Sequence, residues 1–349
     1  MSSGARHRPD EVGGIAGPRA RKSVSLALQG GGAHGAFTWG VLDALLEDGR
    51  LAFDAITGAS AGAMNAVVMT EGWLAGGIDG ARSQLETFWR RASLDGSLTP
   101  TQRRLLGVML GALSKVWVDV IGSSFSPYQT NPLDINPLRD AINALIDFDR
   151  VRACTDVELF LSATNVWTGR VAIFKTAELT ADHLMASACL PTIFQAVEID
   201  GVPYWDGGYM ANPALYPLFD ETATNDIMLV QINPLERRQT PRTAREIQNR
   251  LNEITFNATL LRELRVVALL TQLIEEGKLS PDDYRTVHLH RLDAGDVFAD
   301  QAASKRRGAE WDFFVQLRDA GRLAAQSWLA ANYESIGVRG TFDLQVSRV

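Results

Sequence analysis

Two short apolar runs each end in a glycine-rich turn that opens a helical pattern, and this repetition constrains the fold more than any other feature of the chain. The first run, residues 23–29, leads into Gly30-Gly31-Gly32-Ala33-His34-Gly35. From 33 to 47 the residues Phe37, Val41, Ala44 and Leu45 then recur at helical spacing, and Gly49 stands where glycine closes a helix. The second run, 53–57, ends in Gly58-Ala59-Ser60-Ala61-Gly62, with a helix expected over 61–69. Further strands are expected at 157–163, 171–175, 226–232 and 286–291. Strands alternating with helices imply an α/β fold with a mainly parallel central sheet, helices on both faces and a helical C-terminal extension.

Residues 1–22 carry five basic and two acidic side chains and no apolar stretch of a secretory signal, so they read as a disordered tail. A core over 23–220 and the remainder, 221–349, form one α/β unit in this reading. The net charge of −7 argues against a nucleic-acid footprint across the surface. Cys154 and Cys189 lie far apart, which is no disulfide framework and suits buried apolar positions in a reducing, cytoplasmic setting. The longest apolar run, 105–121, is interrupted by Lys115 and Asp119 and is shorter than a membrane span. It suits a core helix, a lid or the wall of an apolar channel, and leaves peripheral contact as the closest approach to a membrane. The sequence leaves the oligomeric state open.

Gly30 to Gly35 satisfies the G-x-G-x-x-G pattern of nicotinamide dinucleotide sites, which would make the chain an oxidoreductase. Such a site also wants an acidic residue at the end of the second strand, where this chain has Thr57-Gly58-Ala59-Ser60, and Asp54 stands at the other end. What remains is a helix N-terminus whose amides converge on a negative group, either a phosphate or an oxyanion. Gly58 to Gly62 is G-x-S-x-G between strand and helix, the setting of a nucleophilic serine; a helix N-cap is the plain alternative for Ser60. Two bases are open. Asp206 with His288 or His290 would complete a triad, although those histidines alternate with Val287 and Leu289 like the polar face of a strand. Alternatively Asp206, in Tyr204-Trp205-Asp206-Gly207-Gly208, acts alone, provided that burial strengthens a carboxylate whose ordinary pKa is about 3.9.

Taken together these segments resemble the patatin-like phospholipase family, with the glycine-rich loop, G-x-S-x-G and D-G-G in family order. Ala186-Ser187-Ala188-Cys189-Leu190-Pro191 and Asn212-Pro213 also look like family segments. The resemblance implies a Ser–Asp dyad that hydrolyses acyl esters of lipids, with Ser60 as nucleophile, Asp206 as proton acceptor and an oxyanion hole from Gly30, Gly31, Gly32 and Gly35. Gly58, Gly62, Gly207 and Gly208 would support those turns, and no metal, calcium or other cofactor is implied. Many family members carry Arg where this chain has His34, which replaces a permanent cation by a titratable group. A non-catalytic lipid-binding protein on the same scaffold is the other outcome. Ile247, Leu251, Ile254, Ala258 and Leu261 form an apolar seam expected to pack on the body or on a second copy. Arg237, Arg238, Arg242 and Arg245 precede or flank it and suit anionic lipid.

Overall fold

The computed structural model describes residues 21–93, 126–280, 284–293, 295 and 310–343. The apolar run 105–121 and most of the N-terminal tail lie outside the described residues. The elements that position the site are β1 (Lys22–Leu28), α1 (Gly35–Asp48), β2 (Leu51–Gly58), α2 (Ala61–Ala92), α3 (Pro137–Leu145), β3 (Glu158–Asn165), β4 (Val171–Lys175), α4 (Ala181–Ser187), β5 (Val197–Ile199), β6 (Val202–Asp206), β7 (Asp226–Gln231), α5 (Ala244–Glu275), β8 (His288–Asp293) and α6 (Trp311–Asn332). The sheet runs β5-β6-β3-β2-β1-β7-β8, with β4 also paired to β3. Pairings among β3, β2, β1, β7 and β8 are parallel; those of β4 and β6 with β3, and of β5 with β6, are antiparallel.

Alternation along the strands makes three layers. In β1, Val24, Leu26 and Leu28 join the larger core with α1, α2 and α6, while Ala27 faces the smaller core containing Leu260 and Leu264 of α5. Met228 and Val230 repeat the pattern against Ile227 and Leu229 in β7. Strands covered on both faces need apolar residues at successive positions, which is why these runs look continuous in the sequence. The outer pair α1 and α6 cross with almost no gap: a Cβ at Gly40 would stand 1.9 Å from the Arg318 carbonyl oxygen, and one at Gly321 would stand 2.1 Å from that of Phe37. Among the described residues no helix is long and apolar enough to cross a membrane.

Three local expectations change. The helix after Ser60 continues to Ala92, and only Gly76 and Gly77 leave helical geometry, so the other glycines of that stretch are not breakers. Strand β5 has only three residues and β6 contains Pro203, which hides both from a periodicity search. The seam on α5 does not pack on the body along its first half: Ile247, Leu251 and Ile254 are 44%, 52% and 50% exposed. The neighbouring stripe, Phe256, Leu260, Leu264 and Val267, is the one buried against the sheet.

Candidate active site

The β3 edge explains how two distant motifs meet. β2 pairs with β3 at Glu158 to Leu161, while β4 occupies the opposite edge from Phe160 to Thr164. Because β6 pairs with Ala163 to Asn165, overlapping β4, it must lie on the β2 side. Parallel β2 and antiparallel β6 thus run head-on in one lane, and their C-terminal ends, bearing Ser60 and Asp206, converge around Ser162. The Ser162 hydroxyl sits in that gap, 3.3 Å from the Gly58 carbonyl and 2.9 Å from that of Ala211.

Ser60 lies between β2 and α2 with φ of 52° and ψ of −122°, a left-handed conformation that is costly for a residue with a side chain. Small neighbours make the turn feasible. A Cβ at Gly62 would fall 2.1 Å from the Leu28 carbonyl oxygen, so only glycine lets the start of α2 come this close to β1. The Ser60 amide donates to both the carbonyl and the hydroxyl of Ser187, each at 3.1 Å, and the Asp206 amide donates to the Cys189 carbonyl at 2.8 Å. The segment around Ser187 to Cys189 therefore anchors the backbone at both Ser60 and Asp206. Burial first, and then the Asp206 charge, push the Cys189 thiol up to about 12, which keeps it protonated at neutral pH.

Asp206 is fully buried. Its Oδ1 accepts the Gly208 amide at 2.7 Å, while Oδ2 is buried with no hydrogen-bond partner among the described residues. Burial raises its pKa from 3.8 to about 7, opposed by the Gly208 amide and by the Ser60 hydroxyl. The hydroxyl is thus near enough to favour the charged form without completing a bond to Oδ2.

The glycine loop lies directly against this pair, because a Cβ at Gly30 would meet the Ala59 carbonyl oxygen at 2.6 Å and the Ser60 Cβ at 2.8 Å. Buried amide side chains hold it, of which the sequence singled out only Asn212, as part of a family-like segment. The Gly30 amide donates to Asn212 Oδ1 at 2.7 Å, and its carbonyl accepts from Asn233 Nδ2 at 2.7 Å and Asn212 Nδ2 at 3.2 Å. Gln29 Oε1 accepts the amides of Ile232 and Asn233, and its Nε2 donates to Asn257. Asn65 Nδ2 donates to the carbonyls of Gly35 and Ala61, both at 3.0 Å, tying the loop to α2. Asn212-Pro213 had a sequence signal in its family-like context; a polar Asn on the buried face of an otherwise apolar helix is the signal at position 65. The loop glycines consequently differ: Gly30 and Gly35 commit their amides internally, whereas Gly31 and Gly32 precede any intrahelical acceptor.

His34 retains some accessible surface, yet the atoms packed around its ring strip enough water to lower its pKa to about 4. Glu253 opposes that shift and Arg237 adds to it. At neutral pH the loop therefore holds a neutral imidazole, edge-on to Phe313 with centroids 6.4 Å apart.

The histidine triad is not assembled. His290 Nε2 lies 2.9 Å from Asp226 Oδ1, and His288 Nδ1 lies 3.4 Å from Asp226 Oδ2. Register pairs Asp226 with His288 at the start of β7 and β8, whereas the glycine loop and the Ser60 turn follow the other end of the neighbouring parallel strands. Asp54, the carboxylate nearest a dinucleotide pattern, accepts from the Ser25 hydroxyl at 2.6 Å and the Thr224 amide at 3.1 Å, away from the glycine loop.

A family model described as Patatin-like phospholipase matches residues 26–219. No curated protein matches the chain. Among solved structures, VipD from Legionella pneumophila is 15% identical, with 89% of this chain and 67% of that one covered and a TM-score of 0.45. ExoU, in its complex with SpcU from the type III secretion system of Pseudomonas aeruginosa, gives 18% identity, 69% and 51% coverage and a TM-score of 0.31. Those overlays are too loose to carry an argument, whereas the sequence match takes in more than half of the chain, from β1 to just past the turn bearing Asp206. By that match the chain belongs to the patatin-like phospholipase family.

Proposed function

We propose that the chain is a serine hydrolase that cleaves acyl esters of lipids through Ser60 and Asp206. The observation that carries this is the convergence of a serine on a strained turn with a buried carboxylate whose pKa is raised to about 7 and whose Oδ2 has no hydrogen-bond partner among the described residues. An aspartate near 3.8 is a weak base at neutral pH, and a base near the working pH is the more effective one. As Ser60 Oγ attacks the acyl carbonyl, Asp206 takes its proton. The carbonyl oxygen becomes an oxyanion held by the amides of Gly31 and Gly32 and by that of Ala61, the first residue of α2. Collapse breaks the ester bond, and the leaving alcohol takes the proton from Asp206. Water, giving its proton to the same carboxylate, then attacks the acyl-serine, releasing the carboxylic acid and restoring the Ser60 hydroxyl. With His34 neutral, this loop stabilises the oxyanion through amides and no permanent charge.

Lipid at a surface suits the exposed half of α5, where Ile247, Leu251 and Ile254 face outward, together with the segment just before it, where Arg238 and Arg242 are exposed. Against a net charge of −7, attraction to anionic lipid is local to this segment and the contact peripheral. A fluorophosphonate probe should label the wild type and spare Ser60→Ala. Labelling that persists in the variant refutes Ser60 as nucleophile, and a wild type that neither labels nor hydrolyses any ester leaves the lipid-binding alternative.

A further inference from the structure

We propose that Asn212 and Asn233 are positioning residues that hold the Gly30–Gly31 peptide in the orientation that aims the Gly31 N–H at the oxyanion. This rests on Ser60 being the nucleophile and deepens that reading by naming what keeps the oxyanion site formed. Three successive glycines do not keep it formed by themselves. The plane between Gly30 and Gly31 turns over by opposite changes in ψ of the first and φ of the second, and neither residue has a Cβ to oppose the turn. The Gly31 amide has no acceptor among the described residues, so no bond of its own fixes the plane either. Gly32 and Ser60 border one cavity, which brings this part of the loop beside the nucleophile.

The restraint comes from two buried side chains. Asn233 Nδ2 and Asn212 Nδ2 both donate to the Gly30 carbonyl, and Asn212 Oδ1 accepts the Gly30 amide. A trans peptide sets the N–H of the next residue antiparallel to that carbonyl, so with the oxygen turned to the asparagines the Gly31 N–H is turned away from them. Inverting the plane would strand both NH2 groups, on side chains that are 0% and 9% exposed. Asn233 is itself fixed: its amide donates to Gln29 Oε1 at 2.7 Å, and its carbonyl accepts from Gln231 Nε2 at 3.0 Å. Gln29 Nε2 in turn donates to Asn257 Oδ1 at 2.8 Å. The far end of the loop has a separate anchor, because Asn65 donates to the Gly35 carbonyl and accepts from Trp89 Nε1, whose ring stands edge-on to Phe314. Asn233 and Asn257 lie beyond residue 219, so the orientation of this amide depends on a part of the chain outside the family match.

The test is kcat and KM for a soluble p-nitrophenyl ester, per site titrated with fluorophosphonate, in wild type, Asn233→Leu and Asn233→Ala. Leucine keeps the shape of asparagine and removes the donor. Both acylation and deacylation pass through an oxyanion, so whichever limits turnover, kcat should fall about tenfold to a hundredfold while KM stays within about threefold. The midpoint of the pH profile should remain at about 7, because Asp206 keeps its surroundings. A role in packing alone would leave kcat per site near wild type in the leucine variant even where its melting temperature drops, and that result overturns the proposal. A loss expressed in KM, or one that moves the pH midpoint, overturns it as well. Should neither Asn233 variant fold, Asn212→Ser, which removes the second donor to Gly30, carries the same test. Hydrolysis that survives Ser60→Ala refutes the nucleophile instead, and the positioning role falls with it.

Discussion

Replacing Asp206 by Asn should abolish catalysis and stabilise the fold at alkaline pH. The carboxylate's pKa rises from 3.8 to about 7 on folding, so ionising it in place costs about 4 kcal/mol more than ionising it in the unfolded chain. A raised folded-state pKa means that the stability it contributes is full below 3.8 and is lost as pH climbs through about 7. Asn keeps an oxygen for the Gly208 amide but puts an NH2 group where Oδ2 now lacks a partner, at a cost of about 1–3 kcal/mol. The variant should therefore be about 1–3 kcal/mol more stable than wild type at pH 8.5 and equal to it or weaker at pH 5. Urea titrations at the two pH values measure this. Activity should run the other way: wild-type kcat/KM rises with pH through about 7 as the base ionises, and the variant loses about a hundredfold to ten-thousandfold. A stability difference that is the same at both pH values would refute a desolvated carboxylate at 206, and near-full activity would refute its role as base.

Ser60→Gly should also be inactive but more stable by about 1 kcal/mol in denaturant titration, since glycine carries no penalty at φ of 52°; a less stable variant would mean the turn is not strained. His290→Ala should lower stability through the loss of its bond to Asp226 while leaving kcat per folded molecule near wild type, as measured on a soluble ester; a collapse in kcat would revive the triad. Hydrogen bonds from His290 and Gly337 and the two histidine charges outweigh burial and hold Asp226 below its ordinary pKa, so its contribution should fade as pH drops through the acid range, which melts from pH 7 to pH 3 would follow. Changing Ile247, Leu251 and Ile254 together to Ser should cut co-sedimentation with phosphatidylglycerol vesicles severalfold and spare hydrolysis of soluble butyrate esters, and unchanged sedimentation would move the membrane contact elsewhere.

The turns that carry the proposed nucleophile and base were legible because their backbone demands leave chemical marks: glycines must flank a turn as tight as that at Ser60, and two must follow Asp206. The division of labour within the glycine loop was not. It depends on Asn212 and Asn233, 182 and 203 residues from Gly30, and no local pattern announces a partner at that distance. The lane shared by β2 and β6 was hidden for a related reason, since strand order is a property of long-range pairing and β6 is broken by Pro203. On α5 two adjacent apolar stripes compete, and periodicity alone does not say which one the sheet covers.

The match to known sequences stops at 219, but the mechanical unit does not. β1, whose end carries the glycine loop, is bordered on one side by β7 through the pairing of Ser25 to Leu28 with Ile227 to Val230. A chain cut at 219 would turn this central strand into a bare edge with open amides and carbonyls, a template for pairing with other molecules. It would also strip α6 from α1, uncovering the groove where Gly40 meets Arg318 and removing the Phe314 ring that steadies Trp89. A fragment limited to the recognisable segment should therefore aggregate, even though it contains every residue assigned to the chemistry.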